Sequence, residues 1–311
     1  MSDDFNKLIG DSPFTASPVT PETMEGDKVI QFRCRKGIDC WNACCSNIDI
    51  ILTPYDIIRL KKRLGISSTE FLQQYTYPFE FGPNDIAGVK LKAVENGTAC
   101  QFMRPEGCDV YGDRPTACRY YPIALLCMRR ADEFTDRSQY ALVKEDHCKG
   151  HLEPRSLTIE EYRTEQGVQE YDDYGRAWRQ LVLKKKSAGP TVGNASQRSL
   201  QLFFMACYDV DQFRSFVTSP SFDDVYDVPE EDKAKWDDDL DLMNFGFRLV
   251  RQVLFNETTI PMRPDAMERR QARKKEREQI LDQIVEKLPT EEFVKPLPED
   301  AIYDKYKMGD S

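Results

Sequence analysis

The hydrophobic period changes several times along the chain, and each change marks an element. The opening stretch is rich in Asp, Ser, Thr and Pro without apolar period, so residues 1–28 are expected to form a disordered arm. Order is expected from Val29-Ile30-Gln31-Phe32, just ahead of the first cysteine. The β-branched, apolar run at 47–52 predicts a short strand. Thr53-Pro54-Tyr55-Asp56 then supplies an N-cap, a proline at N1 and an acid at N3, opening a helix that Gly65 would close. Ser67 and Glu70 make a second capping box, with Phe71 and Leu72 turned inward. Residues 89–102 read as a hairpin about the turn pair Asn96-Gly97.

Helical period dominates the second half. Thr158, with Glu161 three residues on, opens a long helix toward Lys186, weakened by Gly167 and Gly175. A loop is expected at 187–194 and another helix over 200–217. Leu242, Phe245, Leu249 and Val253 fall on one face of a further helix. Residues 265–288 are charged almost throughout, with an apolar stripe only at Ile280, Leu281, Ile284 and Val285. That pattern predicts a solvated or partner-docked helix, followed by a Pro-rich end. The expected architecture is an α-rich α+β protein. It comprises the arm at 1–28, a small loop-rich cysteine-cluster metal domain over 29–155, a helical region over 156–262, and a charged helix with a flexible tail over 263–311.

Composition narrows the class. Of 311 residues 40% are hydrophobic, enough for a packed core. No run approaches the roughly 18 apolar residues of a membrane helix, so no membrane span is expected. The N-terminal residues have no apolar signal region, which makes the cytoplasm the expected location. The net charge is −10, and residues 31–153 carry 17 basic against 16 acidic groups. No folded part is strongly basic, so nucleic acid is not an expected partner.

Ten cysteines change the question. Thiols in a reducing compartment stay reduced, so clustered ones point to metal ligation rather than disulfides. Eight fall into two groups: Cys34, Cys40, Cys44 and Cys45, then Cys100, Cys108, Cys118 and Cys148. Thiolate is a soft ligand suited to zinc and to iron–sulfur centres, and four complete either coordination. Cys40 and Cys44 would share a helical face, whereas Cys45 would point about 100° away. One irregular turn about a single centre and two separate centres both satisfy that spacing. Four thiolates around a 2+ centre leave about −2 of charge, which is costly to bury uncompensated. Arg33, Arg35, Lys36, Arg104, Arg114 and Arg119 lie close in sequence and are expected to screen or hydrogen-bond sulfur. Trp41, Tyr120 and Tyr121 are expected as apolar cover, and Cys127 and Cys207 as core thiols. His147 and His151 flank Cys148 and are assigned surface or packing roles rather than ligation.

Other catalytic templates are missing: there is no Walker loop, no dinucleotide-binding glycine pattern, no G-x-S-x-G and no H-E-x-x-H. One family resemblance is specific. Cys34 through Cys45, Ile50-Ile51-Leu52-Thr53-Pro54, Cys100-Gln101-Phe102-Met103, Gly107-Cys108-Asp109-Val110-Tyr111, Arg114-Pro115 and Cys118-Arg119-Tyr120-Tyr121-Pro122 together resemble the YkgJ-type cysteine-cluster family, over residues 31–153. The resemblance implies a zinc- or iron-chelating domain, in a family that includes flagellin lysine methylases. The first run here, C-x5-C-x3-C-C, is wider than that family's C-x2-C-x2-C-C. The expected function is metal chelation by the eight clustered thiolates, with an iron–sulfur centre or zinc as cofactor. Its rivals are a metal-dependent protein-modifying enzyme of the lysine methylase kind or a redox protein, and an interaction adaptor stapled by zinc. These rivals imply a protein substrate or a protein partner.

Overall fold

The computed structural model describes residue 19 and residues 22–82, 86–128, 137–187 and 195–287. Most of the expected arm, the loop at 188–194 and the Pro-rich end lie outside the described residues, as do the side chains of Cys127, Leu281, Ile284 and Val285.

The chain begins with β1 (Val29–Gln31), a 3-10 turn at Ala43–Cys45, β2 (Ile51–Leu52), α1 (Pro54–Leu64), α2 (Ser68–Tyr75), β3 (Thr76–Glu80) and β4 (Ala87–Leu91). Next come β5 (Met103–Arg104), β6 (Gly107–Cys108), α3 (Thr116–Tyr120), β7 (Ile123–Met128), β8 (Arg137–Leu142) and β9 (Ser156–Thr158). The remainder is helical: α4 (Ile159–Gln166), α5 (Val168–Ser187), α6 (Gln197–Tyr208), α7 (Val210–Val217), α8 (Pro220–Asp223), α9 (Glu230–Lys233), α10 (Asp239–Phe255) and α11 (Ala266–Lys287). The protein is α-rich α+β. Two compact units form, Met1–Ser219 with Val228–Pro261, and Pro220–Asp227 with Met262–Ser311.

Local chemistry accounts for the helix ends. Thr53 and Asp56 close a full capping box on α1, and Gly65 ends it in the left-handed region at φ 69°. Ser67 with Glu70 does the same for α2, and Thr158 with Glu161 for α4. The single helix expected over 158–186 is two, because Gly167 adopts φ 61° and its amide turns back to the Arg163 and Thr164 carbonyls. The helix expected over 200–217 is likewise broken at Asp209. The Asp209 carboxylate takes the Gln212 amide to start α7 while accepting the hydroxyls of Ser68 and Thr69. The hairpin expected over 89–102 does not form. Val89 and Leu91 belong instead to a sheet of order β2-β4-β3 that buries them, and 89–102 keeps only one bridge, Ala93 to Cys100. Asn96 is left-handed at φ 58° but Gly97 is not, so the type I′ turn is absent.

Three packings position the cysteine loops. The β1–β9 pair sets Ile30 opposite Leu157 and so ties the two ends of the cysteine segment together. Beneath it lies a core of Ile30, Phe32, Tyr120, Ile123, Ile159 and Tyr162. On the helical side α10 packs on α6 and α7, where a Cβ on Gly246 would come within 3.0 Å of the Ala206 carbonyl. An ionic latch joins α1 and α2 to these helices. Lys61 Nζ reaches Asp211 at 2.8 Å and Asp239 at 3.0 Å, Arg214 contacts the same two carboxylates, and Asp211 accepts the Ser68 amide at 2.7 Å.

In the second unit the Arg263 amide donates to the Val225 carbonyl at 2.9 Å, Tyr226 bridges Met262, and Arg273 pairs with Asp224. The described side chains of α11 beyond Ala266 are exposed, in keeping with the charged helix read from sequence. Among the described residues no helix is long and apolar enough to cross a membrane.

Candidate metal centre

Backbone pairings bring the cysteine-bearing loops together. The Arg33 amide donates to the Gly150 carbonyl at 3.0 Å, which lays the Cys34 strand end against the turn that carries Cys148. The Lys149 amide donates to Cys40 Sγ at 3.2 Å, bringing Cys40 to the same turn. Cys34 feels Cys44, Cys40 and Cys148. Loss of water, then those three thiols, pushes its own thiol up to about 11.

The second gathering begins at Cys45, whose carbonyl accepts the Cys100 amide at 2.8 Å. The Met103 amide returns to the Cys100 carbonyl, and Met103 pairs with Cys108 across β5 and β6. Cys118 stands on α3, and its thiol is held up by burial first, then by Cys100, Asp56, Cys108 and Cys44. Burial also raises the Cys100 and Cys108 thiols, against partial relief from Arg104 near both and from Arg114 near Cys108. The two gatherings meet at the 3-10 turn, where the Cys44 and Cys45 sulfurs are 3.9 Å apart. The Cys44 thiol is driven far up by its bond to Cys45, and by burial. Asn42, left-handed at φ 65°, precedes that turn, which gives adjacent cysteines the irregular geometry that a regular helix would deny them.

As the side chains stand, no three His, Cys, Asp or Glu donors among the described residues are drawn in tightly enough to hold a metal ion. The donor chemistry nevertheless fits a soft cation. All eight thiols are free, all but Cys118 on the short helix α3 sit on turns, loops or short strands, and several are held protonated by one another. A cation removes that mutual repulsion by favouring thiolates.

The basic residues meet the sequence expectation in part: Arg104 and Arg114 screen the Cys100 and Cys108 thiols electrostatically, but the guanidinium hydrogen bonds go elsewhere. Arg119 is buried and donates to the carbonyls of Arg114, Gln166 and Gly112 and to the Tyr171 hydroxyl, with its guanidinium 4.1 Å from the Tyr171 ring centre. Arg114 donates to the Tyr111 carbonyl and to Gln166 Oε1. Arg35 forks onto Glu153, and Arg104 holds the carbonyls of Gln101 and Met103 and pairs with Asp109. These loops expose many carbonyls without strand partners, and the planar guanidinium satisfies several at once. The arginines therefore shape the loops that carry the cysteines. Backbone amides are what reach sulfur, that of Lys149 on Cys40 and those of Phe102, Met103 and Val110 at Cys100 and Cys108.

The remaining candidates divide. Trp41 spans the β5–β6 turn, its indole N–H on the Pro105 carbonyl at 3.2 Å, and Tyr120 is buried with its hydroxyl on Asp172 at 2.5 Å. The Tyr121 hydroxyl is buried and keeps its proton, through burial first and then Cys148 and Glu145. Cys207 is a buried core thiol. His151 packs on Phe32 with Nε2 at 3.1 Å from the Val143 carbonyl, and His147 faces Glu145 at 3.6 Å. Asp56 was read from sequence only as a cap. It proves fully buried and bonded to Thr116 on α3, a link that no local pattern announces.

No curated protein and no solved structure is a significant match to the chain. A family model does match it, the CxxCxxCC family, described as "Putative zinc- or iron-chelating domain", over residues 33–149. The matched segment, residues 33–149, spans all eight clustered cysteines.

Proposed function

We propose that this domain holds metal through two groups of four thiolates, Cys34, Cys40, Cys44 and Cys148 in one and Cys45, Cys100, Cys108 and Cys118 in the other. The observation that carries the reading is the pair of backbone ties. Cys34 and Cys40 are drawn to the Cys148 turn, and Cys100 is drawn to Cys45. The Cys44 and Cys45 sulfurs lie 3.9 Å apart, so the two groups abut at this turn. The family's description as zinc- or iron-chelating supports the same chemistry.

Our reading of the occupant is an iron–sulfur centre. Eight thiolates exceed the four of one structural zinc, and the half-buried sulfurs lie beside aromatic and cationic groups of the kind that tune such centres. When bound, the centre supplies one-electron chemistry, whereas a four-thiolate zinc is redox-silent and structural. The division into two groups of four favours the second reading, a pair of zinc sites. The test is protein made and handled without oxygen. A brown sample containing iron and acid-labile sulfide, and bleached by dithionite, supports iron. Colourless protein with stoichiometric zinc, after expression with iron supplied, supports zinc. Protein that binds neither metal overturns the chelating function.

A further inference from the structure

The Asp56 carboxylate is fully buried and caps two helices at once. Its Oδ2 accepts the Thr53 amide at 2.8 Å, completing the capping box of α1. Its Oδ1 accepts both the Thr116 amide at 2.8 Å and the Thr116 hydroxyl at 2.7 Å. Thr116 is the first residue of α3, whose own N-cap position is Pro115, a residue without a side-chain acceptor. The missing cap is thus supplied from a distant helix. Cys118 follows two residues later in the same short helix. The other end of this segment is held by Arg119 on the carbonyls of Gly112 and Gln166.

A helix of five residues has little stability of its own, so its place is set by what holds its ends. On one side of the carboxylate lies the helix after β2, and on the other the helix that carries Cys118. We propose that Asp56 is a positioning residue of the metal centre: by capping α3 from α1 it fixes Cys118 relative to Cys45, Cys100 and Cys108. This rests on the metal-binding reading above. It adds a residue that does not itself ligate. Asparagine keeps the shape but loses acceptor capacity, because its amide nitrogen is a donor and cannot serve both Thr53 and Thr116.

The experiment uses the full-length chain, isolated with its metal, and follows alkylation of each cysteine by iodoacetamide with and without prior chelation. Wild-type protein should show metal-dependent protection at all eight clustered cysteines. In Asp56→Asn, alkylation of Cys118, Cys100 and Cys108 should accelerate by about 10- to 100-fold, the usual cost of losing a group that orients a ligand. Cys34, Cys40 and Cys148 should stay protected, with the helical circular dichroism unchanged. Thr116→Val should shift Cys118 in the same direction by less, and Thr116→Ser should restore wild-type protection. Wild-type protection of Cys118 in Asp56→Asn overturns the proposal. If Asp56→Asn loses its helical signal altogether, Thr116→Val decides, since it keeps the carboxylate and the α1 cap. Undiminished protection of Cys118 there also overturns the proposal. Equal alkylation of wild-type protein before and after chelation sinks the metal reading itself, and the proposal with it.

Discussion

The Cys100 amide donates to the Cys45 carbonyl at 2.8 Å, joining two cysteine runs that are remote in sequence. The neighbouring Cys44, whose sulfur is 3.9 Å from that of Cys45, is associated with Cys34 and Glu145 and also with Cys118. In the proposed division these consecutive cysteines belong to different groups. Cys108→Ser should therefore remove roughly half of the bound metal and leave the rest, and Cys148→Ser should remove the complementary half, since each group needs its four donors. Elemental analysis of the two variants checks this. Complete metal loss in either variant would mean that the eight thiolates serve a single indivisible centre.

Metal removal should act locally. The Cys100 and Lys149 amides make their hydrogen bonds to Cys45 and Cys40, both proposed ligands, within the loop-rich segment. Binding energy of the metal is then a large share of that segment's folding energy. The Leu242 amide lies in α10, among fully buried Leu242 and Leu249, and owes nothing to the metal. Hydrogen exchange after chelation should show lost protection at Cys100 and Lys149 with retention at Leu242. Unchanged protection at Cys100 after verified metal loss contradicts the expectation.

The sequence showed what is local. Thr53 with Asp56, Ser67 with Glu70 and Thr158 with Glu161 all close the capping boxes read from four-residue patterns. It did not show what depends on distant partners. Val89 looked like one arm of a hairpin, and only the pairing of β4 with both β2 and β3 explains its burial. Asp209 looked like one polar residue inside a helix, and its bonds to Ser68 and Thr69 are what break that helix. The associations behind the proposed cysteine groups were equally hidden. Spacing places Cys44 beside Cys45, but the ties to the Cys148 turn and to Cys100 are long-range. Arg119 was misread for the same reason, because its carbonyl acceptors come from another loop and from α4.

The latch on α1 makes part of the fold's stability depend on pH. Burial by itself would raise the Asp211 carboxyl, but Lys61 and the Ser68 amide hold it at about 2, below its ordinary 3.8. A depressed carboxyl stabilises the fold fully above its unfolded value, and the contribution disappears as pH falls through the folded value. The group is partly open to water, so the contribution is about 1–2 kcal/mol after screening. Urea unfolding of wild-type protein should weaken between pH 4 and pH 2 (roughly the span of the two values), and Asp211→Asn should lose that part of the slope. Asp211→Asn should also be less stable at pH 7 by about 2 kcal/mol, because Lys61 keeps only Asp239. Identical pH profiles for the two proteins would exclude Asp211 as the titrating group.

Gly150 lies where β1's extension meets the Cys148 turn, and its carbonyl accepts the Arg33 amide. A Cβ there would stand 2.5 Å from the ring of Phe32, which is buried in the core beneath the cysteine loops. The ring has no room to retreat, since it is edge-on to Tyr162 and against His151. Gly150→Ala should therefore push the turn away from β1, at a cost of about 1–3 kcal/mol for overpacking. Cys34 and Cys148 would move apart, while Cys100 and Cys108, tied to Cys45 through a separate hydrogen bond, would keep their places. The variant should show a lowered melting temperature together with selective loss of metal-dependent protection at Cys34 and Cys148. Thermal melting of the metal-loaded protein and site-resolved alkylation measure the two effects. Loss of protection at Cys100 to the same degree would show that the cysteine loops respond as one body, against the division drawn at Cys44 and Cys45.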